Sequence, residues 1–129
     1  MAIIRNVITS ASTALSTSYA SITVGTNTPF PADCLISHVD LEMDTLSTAT
    51  EVTWYLCRDA EGDVPISNEV TSAIIDQGSG SALGGFGAAI NVAYAIDTDA
   101  GTTAGELYVR AKVDAATPNA IARITVEVD

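Results

Sequence analysis

The feature that most constrains this chain is a two-residue periodicity of apolar side chains. In "LISHVDLEMD", residues 35–44, the odd positions are Leu35, Ser37, Val39, Leu41 and Met43. After Ile36 the even ones are polar: His38, Asp40, Glu42 and Asp44. In "EVTWYLC", residues 51–57, Val52, Trp54 and Leu56 alternate with Thr53, Tyr55 and Cys57. Successive side chains of a strand point to opposite faces, so each stretch reads as a strand with one face in a core. The phases fit a hairpin with Met43 opposite Val52, Leu41 opposite Trp54 and Val39 opposite Leu56, closed by "TLSTAT". A one-residue slip would turn one apolar set outward.

A second pair of segments closes the chain. "GELYVRAKVD" places Leu107, Val109, Ala111 and Val113 on one face, and "AIARITVEV" does the same with Ala122, Ile124, Val126 and Val128. "AATPN" between them supplies Pro and Asn for a turn. Further strands are expected at residues 2–9, 19–24, 64–67, 71–75 and 88–96. In the last of these, Ile90, Val92, Tyr94 and Ile96 alternate with Ala and Asn; an Ala-rich helix is the other reading, and the alternation favours a strand. Pro29, Pro31 and Gly62 mark breaks. Short strands with turn signals about every ten residues predict an all-β protein, a single domain over residues 1–129. The expected architecture is an antiparallel β-sandwich, jelly-roll-like. Residues 1–12, apolar at Ile3, Ile4, Val7 and Ile8, are either an N-terminal arm or a first core strand, which is slightly favoured.

Composition agrees with strands. Apolar residues are 47% of the chain but aromatics only 5%, the rest being largely Ala, Val and Ile. β-Branched side chains suit a half-buried pleated surface. The net charge of −11 disfavours nucleic acid and anionic membranes, which are bound through clustered Lys and Arg. No 18-residue apolar run suggests a membrane span, and the N-terminal residues do not read as a secretion signal, so synthesis in a cytoplasm is expected. In the hairpin register Cys57 lies opposite His38, with Cys34 four residues further along, on the order of 13 Å away. That is beyond disulfide reach, so reduced, buried thiols are expected.

The glycine-rich "DQGSGSALGGFGAA" is not a phosphate cradle. It has no Lys for a P-loop, and Leu83 stands where a dinucleotide fingerprint needs its third Gly. It reads as a crossing loop, mobile or ordered by a neighbouring subunit. Asp59, Glu61 and Asp63 in "RDAEGD" are an acidic turn, with a weak cation site as the sharper alternative. His38 is the only histidine; it falls on a polar strand face with no nucleophile at a recognisable spacing. Asp40, Glu42 and Asp44 share that face and read as hydration and edge protection. Arg110, Lys112 and Arg123, three of the five basic residues, are expected on one outward patch, suited to an acidic surface such as a second copy.

A small, acidic, Ser/Thr/Ala/Gly-rich β protein with stretches such as "EVTWYLCRDAEGDVPIS" and "GELYVRAKVDAATPNAIARITVEV" resembles the capsid decoration, or cement, proteins of tailed bacteriophages. The resemblance is one of style over most of the chain. It implies a structural virion protein, not an enzyme and without a cofactor, made in the host cytoplasm. Its partners would be the major capsid protein and itself, as a homotrimer that bridges coat subunits. Its contacts are expected at Arg110, Lys112, Arg123 and the N-terminal Ile3, Ile4 and Arg5. The alternative is a carbohydrate-binding sandwich or a tail or fibre component, in which Trp54 and the tyrosines would stack on sugars; Trp54, however, is expected in the core.

Overall fold

The computed structural model describes residues 4–31, 34–43, 47–76, 82–84, 92–94 and 105–128. Among them there are ten strands and no helix: β1 (Ile4–Thr9), β2 (Thr13–Ala14), β3 (Ala20–Val24), β4 (Cys34–Met43), β5 (Glu51–Cys57), β6 (Val70–Asp76), β7 (Ala82–Gly84), β8 (Val92–Tyr94), β9 (Leu107–Val113) and β10 (Asn119–Val128). All pairings are antiparallel. In the first sheet β10 lies between β1 and β4, with β2 continuing along the β1 side; β7 and β8 share the far edge of β4. In the second sheet the order is β3-β9-β5-β6. β6 joins the two. Residues 70–73 pair with β5, and residues 74–76 pair with β7. Of the glycine-rich stretch expected as a crossing loop, residues 77–81 and 85–89 lie outside the described residues, and Ala82–Gly84 form β7, paired with β4 and β6.

Neither expected hairpin forms. β4 belongs to the first sheet and β5 to the second, where Trp54 lies opposite Ala111 instead of Leu41, and Val52 opposite Val113. β9 and β10 separate in the same way, with Leu41 opposite Ala122 and Val39 opposite Ile124. Alternation fixes which face turns inward. Two apolar faces coincide equally well side by side in one sheet or face to face across a sandwich, and here the chain crosses. Val39, Leu41 and Met43 still share one core with Val52, Trp54 and Leu56, all at most 1% exposed. From β10, Ala120 and Ala122 enter that core along with Ile124 and Val126.

The first half of β4 also departs from expectation. The β10 register shifts between Thr125 and Val126, pairing Thr125 with His38 but Val126 with Ile36. Ser37 is thus the extra residue of a bulge, and a bulge reverses the inside–outside phase. Cys34 and Ile36 are buried, while Leu35, assigned inward by the odd-position pattern, is 43% exposed. Of the other expected strands, 64–67 is reduced to a bridge between Pro65 and Cys57. The expected strand at 88–96 is described only over Val92–Tyr94. Residues 4–9 are a strand of the sandwich and not a detached arm: β1 pairs with β10 along its length, and Ile8 is buried. Ile3 lies outside the described residues.

Candidate functional site

The outer face of the first sheet is built by β1, β10 and β4 in rows. Arg5 lies opposite Glu127, which faces Leu35; Val7 faces Thr125, then His38; Thr9 faces Arg123, then Asp40; and Ile121 faces Glu42. Its charges pair internally. Arg5 Nε donates to Glu127 Oε1 at 2.8 Å, Arg123 Nη2 to Glu42 Oε1 at 3.2 Å, and His38 Nε2 lies 2.6 Å from Asp40 Oδ1. The Ser37 hydroxyl is engaged with the Thr125 carbonyl. Two arginines against three carboxylates leave this face close to neutral on a chain of net charge −11. It also carries the two most exposed large apolar side chains described, Val7 at 58% and Leu35 at 43%.

The outer face of the second sheet is organised by the turn that follows β5. Asp59 folds back under this turn: its carboxylate accepts the Val64 amide at 2.8 Å, the Asp63 amide at 3.0 Å and the Cys57 thiol at 3.0 Å. The thiol and amide bonds hold the Asp59 carboxyl below the usual carboxylate range. Burial, together with the bond to Asp59, pushes the Cys57 thiol up. Gly62 takes φ of +82°, and a Cβ there would come within 2.4 Å of Tyr55 Oη and 2.9 Å of Arg110 Nε. Arg110 Nη1 donates to the Ala60 carbonyl and to Ser21 Oγ, both at 3.1 Å. The turn is therefore stitched to the sheet, and Cys57 and Tyr108 are buried beneath it. The two cysteines are buried and not bridged by a disulfide, and they lie in different sheets: Cys34 in β4 of the first, Cys57 in β5 of the second.

Beside the turn lies an aromatic and cationic group. Tyr19 meets Tyr55 edge-on at 5.3 Å between ring centroids. Lys112 Nζ stands 4.8 Å from the Tyr19 centroid and the Arg110 guanidinium 5.8 Å from it. The Tyr19 hydroxyl donates to Glu69, and burial together with that carboxylate raises the phenol above its ordinary range. The Tyr19 ring is thus contacted by Tyr55, Lys112 and Arg110 within the protein. Trp54, 0% exposed, is in the core.

The structure divides the basic residues expected on one patch. Arg110 and Lys112 share the outer face of the second sheet, whereas Arg123 lies on that of the first, with Arg5. The separation follows from the missing β9–β10 hairpin. Arg110 is half-buried under the turn. Ile4 is placed by its backbone opposite Val128. Among the acidic turn residues, Asp59 is consumed by internal hydrogen bonds while Glu61 and Asp63 are exposed; no group of three ligating side chains is assembled among the described residues. Sequence reasoning missed Val7 and Leu35 as surface residues. The signal for Leu35 was present in the break of alternation at Ile36–Ser37. Comparisons with known protein families, curated proteins and solved structures return no match.

Proposed function

We propose that this protein is a structural binding module of a tailed-phage virion, which seats on the capsid surface with the outer face of its first sheet and bridges coat subunits. The observation that carries the reading is the character of that face. It is near-neutral through internal ion pairing and spotted with exposed Val7 and Leu35, on a molecule that is otherwise strongly acidic. Apolar side chains among satisfied charges are what a non-obligate interface presents. Where the rest of the surface carries carboxylates, contact with another acidic surface is discouraged. Many copies, each held weakly, reinforce a shell through avidity. The carbohydrate-binding reading is less well supported, because Tyr19 already carries Lys112 against its ring and Trp54 is in the core.

The test is co-sedimentation of the purified protein with heads of the phage that encodes it. Wild-type protein is expected to pellet with the heads. Leu35→Glu, which adds charge at an exposed position without touching the core, is expected to weaken binding by about tenfold or more. Lys112→Glu on the opposite sheet is expected to leave it unchanged. Absence of wild-type binding would remove the capsid reading.

A further inference from the structure

The N-terminal quarter of the chain differs from the rest in charge. Residues 1–32 contain Arg5 and no Asp or Glu, whereas the remainder holds four basic and sixteen acidic residues. This acid-free segment supplies β1, β2 and β3, which sit side by side on one flank of the sandwich. Thr9, Ser10, Ala11 and Thr13 face Ser21, Thr23, Thr26 and Asn27 there across an uncharged groove of about 280 Å³. β1 is the outermost strand of its sheet, paired on one side with β10, and among the described residues nothing pairs with its other side. Its first half overhangs the sandwich. Arg5, Asn6 and Val7 are all exposed, although consecutive residues of a strand face opposite ways. Asn6 lies on the same side as buried Ile8, yet it is exposed.

We propose that β1 is a self-pairing edge, joining a second copy of this chain antiparallel about a two-fold axis at Asn6. The free main-chain donors and acceptors of one edge then meet those of the other, and the first sheet runs continuously through both copies. An unpaired edge is a template for such pairing unless it is blunted by Pro, a bulge or an inward-pointing charge, and β1 has none of these. Charge selects the second copy's approach. Two molecules of net charge −11 repel wherever carboxylates face each other, and the acid-free flank is where they meet without doing so. In this register Arg5 lies opposite Val7 of the second copy, so no like charges are juxtaposed and each arginine stem covers an exposed valine. A two-fold pairing of one edge with itself is isologous and closes as a pair, in place of the threefold arrangement the phage resemblance suggests. The inference does not rest on the capsid reading; it concerns the isolated protein.

The test is the solution mass, by light scattering and sedimentation, at several concentrations and two ionic strengths. The expected species is a dimer of the 13.3 kDa chain. It is expected to tighten as salt rises from about 0.05 to about 0.5 M, because screening relieves the net repulsion while the main-chain bonds are unaffected. Val7→Lys places a lysine against Arg5 of the second copy on both sides of the axis and is expected to weaken the dimer by about tenfold or more. Val7→Asp places a carboxylate there instead and is expected to leave the dimer as tight or tighter. Both variants change a 58% exposed side chain, and an unaltered thermal unfolding transition shows that each still folds. A monomer at all concentrations, a trimer, a dimer indifferent to Val7→Lys, or one dissociated by Val7→Asp as well would each overturn the proposal.

Discussion

Ser10 shows how one side chain holds a bend in a strand. The edge chain breaks between β1 and β2, and there the Ser10 amide donates to the Ala122 carbonyl while the Ala122 amide donates to Ser10 Oγ, both at 2.8 Å. The hydroxyl stands in for a main-chain carbonyl that has turned away. Ser10→Ala leaves the buried Ala122 amide without its partner, at about 1–3 kcal/mol; urea unfolding is expected to show that loss with an unchanged slope. Asp114 performs a comparable service at the start of β5. Its carboxylate accepts the Thr50 hydroxyl and the amides of Thr50 and Glu51, at 2.8 and 3.1 Å for the two amides. These bonds, the hydroxyl first, lower its carboxyl from 3.8 to about 2. A depressed carboxyl stabilises the fold above its unfolded value, and that contribution is lost as pH falls through the folded one. Acid titration should therefore show part of the stability disappearing between about pH 4 and pH 2, and Asp114→Asn should remove that part of the pH dependence. An identical acid profile in the variant would contradict the assignment.

At the scale of elements, the turn after β5 is the clearest case of a segment positioned by a few bonds. Arg110 holds it from below through the Ala60 carbonyl, and Asp59 from within through the amides of Asp63 and Val64. Arg110→Ala is expected to lose about 1.5–3 kcal/mol, the worth of a charge-assisted hydrogen bond, and to speed amide exchange at residues 58–67. Lys112→Ala, which loses only its contact with the Tyr19 ring, should lose about 0.5–1 kcal/mol and leave that exchange as it was. Most strands were legible in the sequence because alternation reports one-sided burial directly. β5, β9 and β10 match their patterns, and β4 matches from Val39 onward. The failures have local causes. The bulge at Ser37 inverts the phase, so Leu35 points out although it is apolar. The two-residue β2 and three-residue β7 are too short to carry any period. The roles of Asp59 and Arg110 were hidden because a hydrogen bond to a main-chain group leaves no mark on composition or spacing; "RDAEGD" reads the same whether its first acid faces water or caps a turn.

For the whole molecule, sequence pattern established that these strands share a core but not how they are joined. Both expected hairpins became crossings between sheets, and that one change scattered the basic patch, sending Arg123 to the face of Arg5 and leaving Arg110 and Lys112 on the other. The partition of charge has the same origin. The acid-free N-terminal strands gather on one flank, although β3 lies in one sheet and β1 and β2 in the other. The sandwich has two unlike faces: a near-neutral, apolar-spotted one, proposed above as the docking face, and an opposite one on which Tyr19, Tyr55, Arg110 and Lys112 contact one another. Hydroxyl-radical footprinting of the protein bound to purified heads tests that docking role most directly. Reduced labelling of Leu35 and Ile121 on binding, with Tyr19 and Tyr55 labelled as in the free protein, is the predicted result. Protection of Tyr19 and Tyr55 with Leu35 still fully reactive would contradict it.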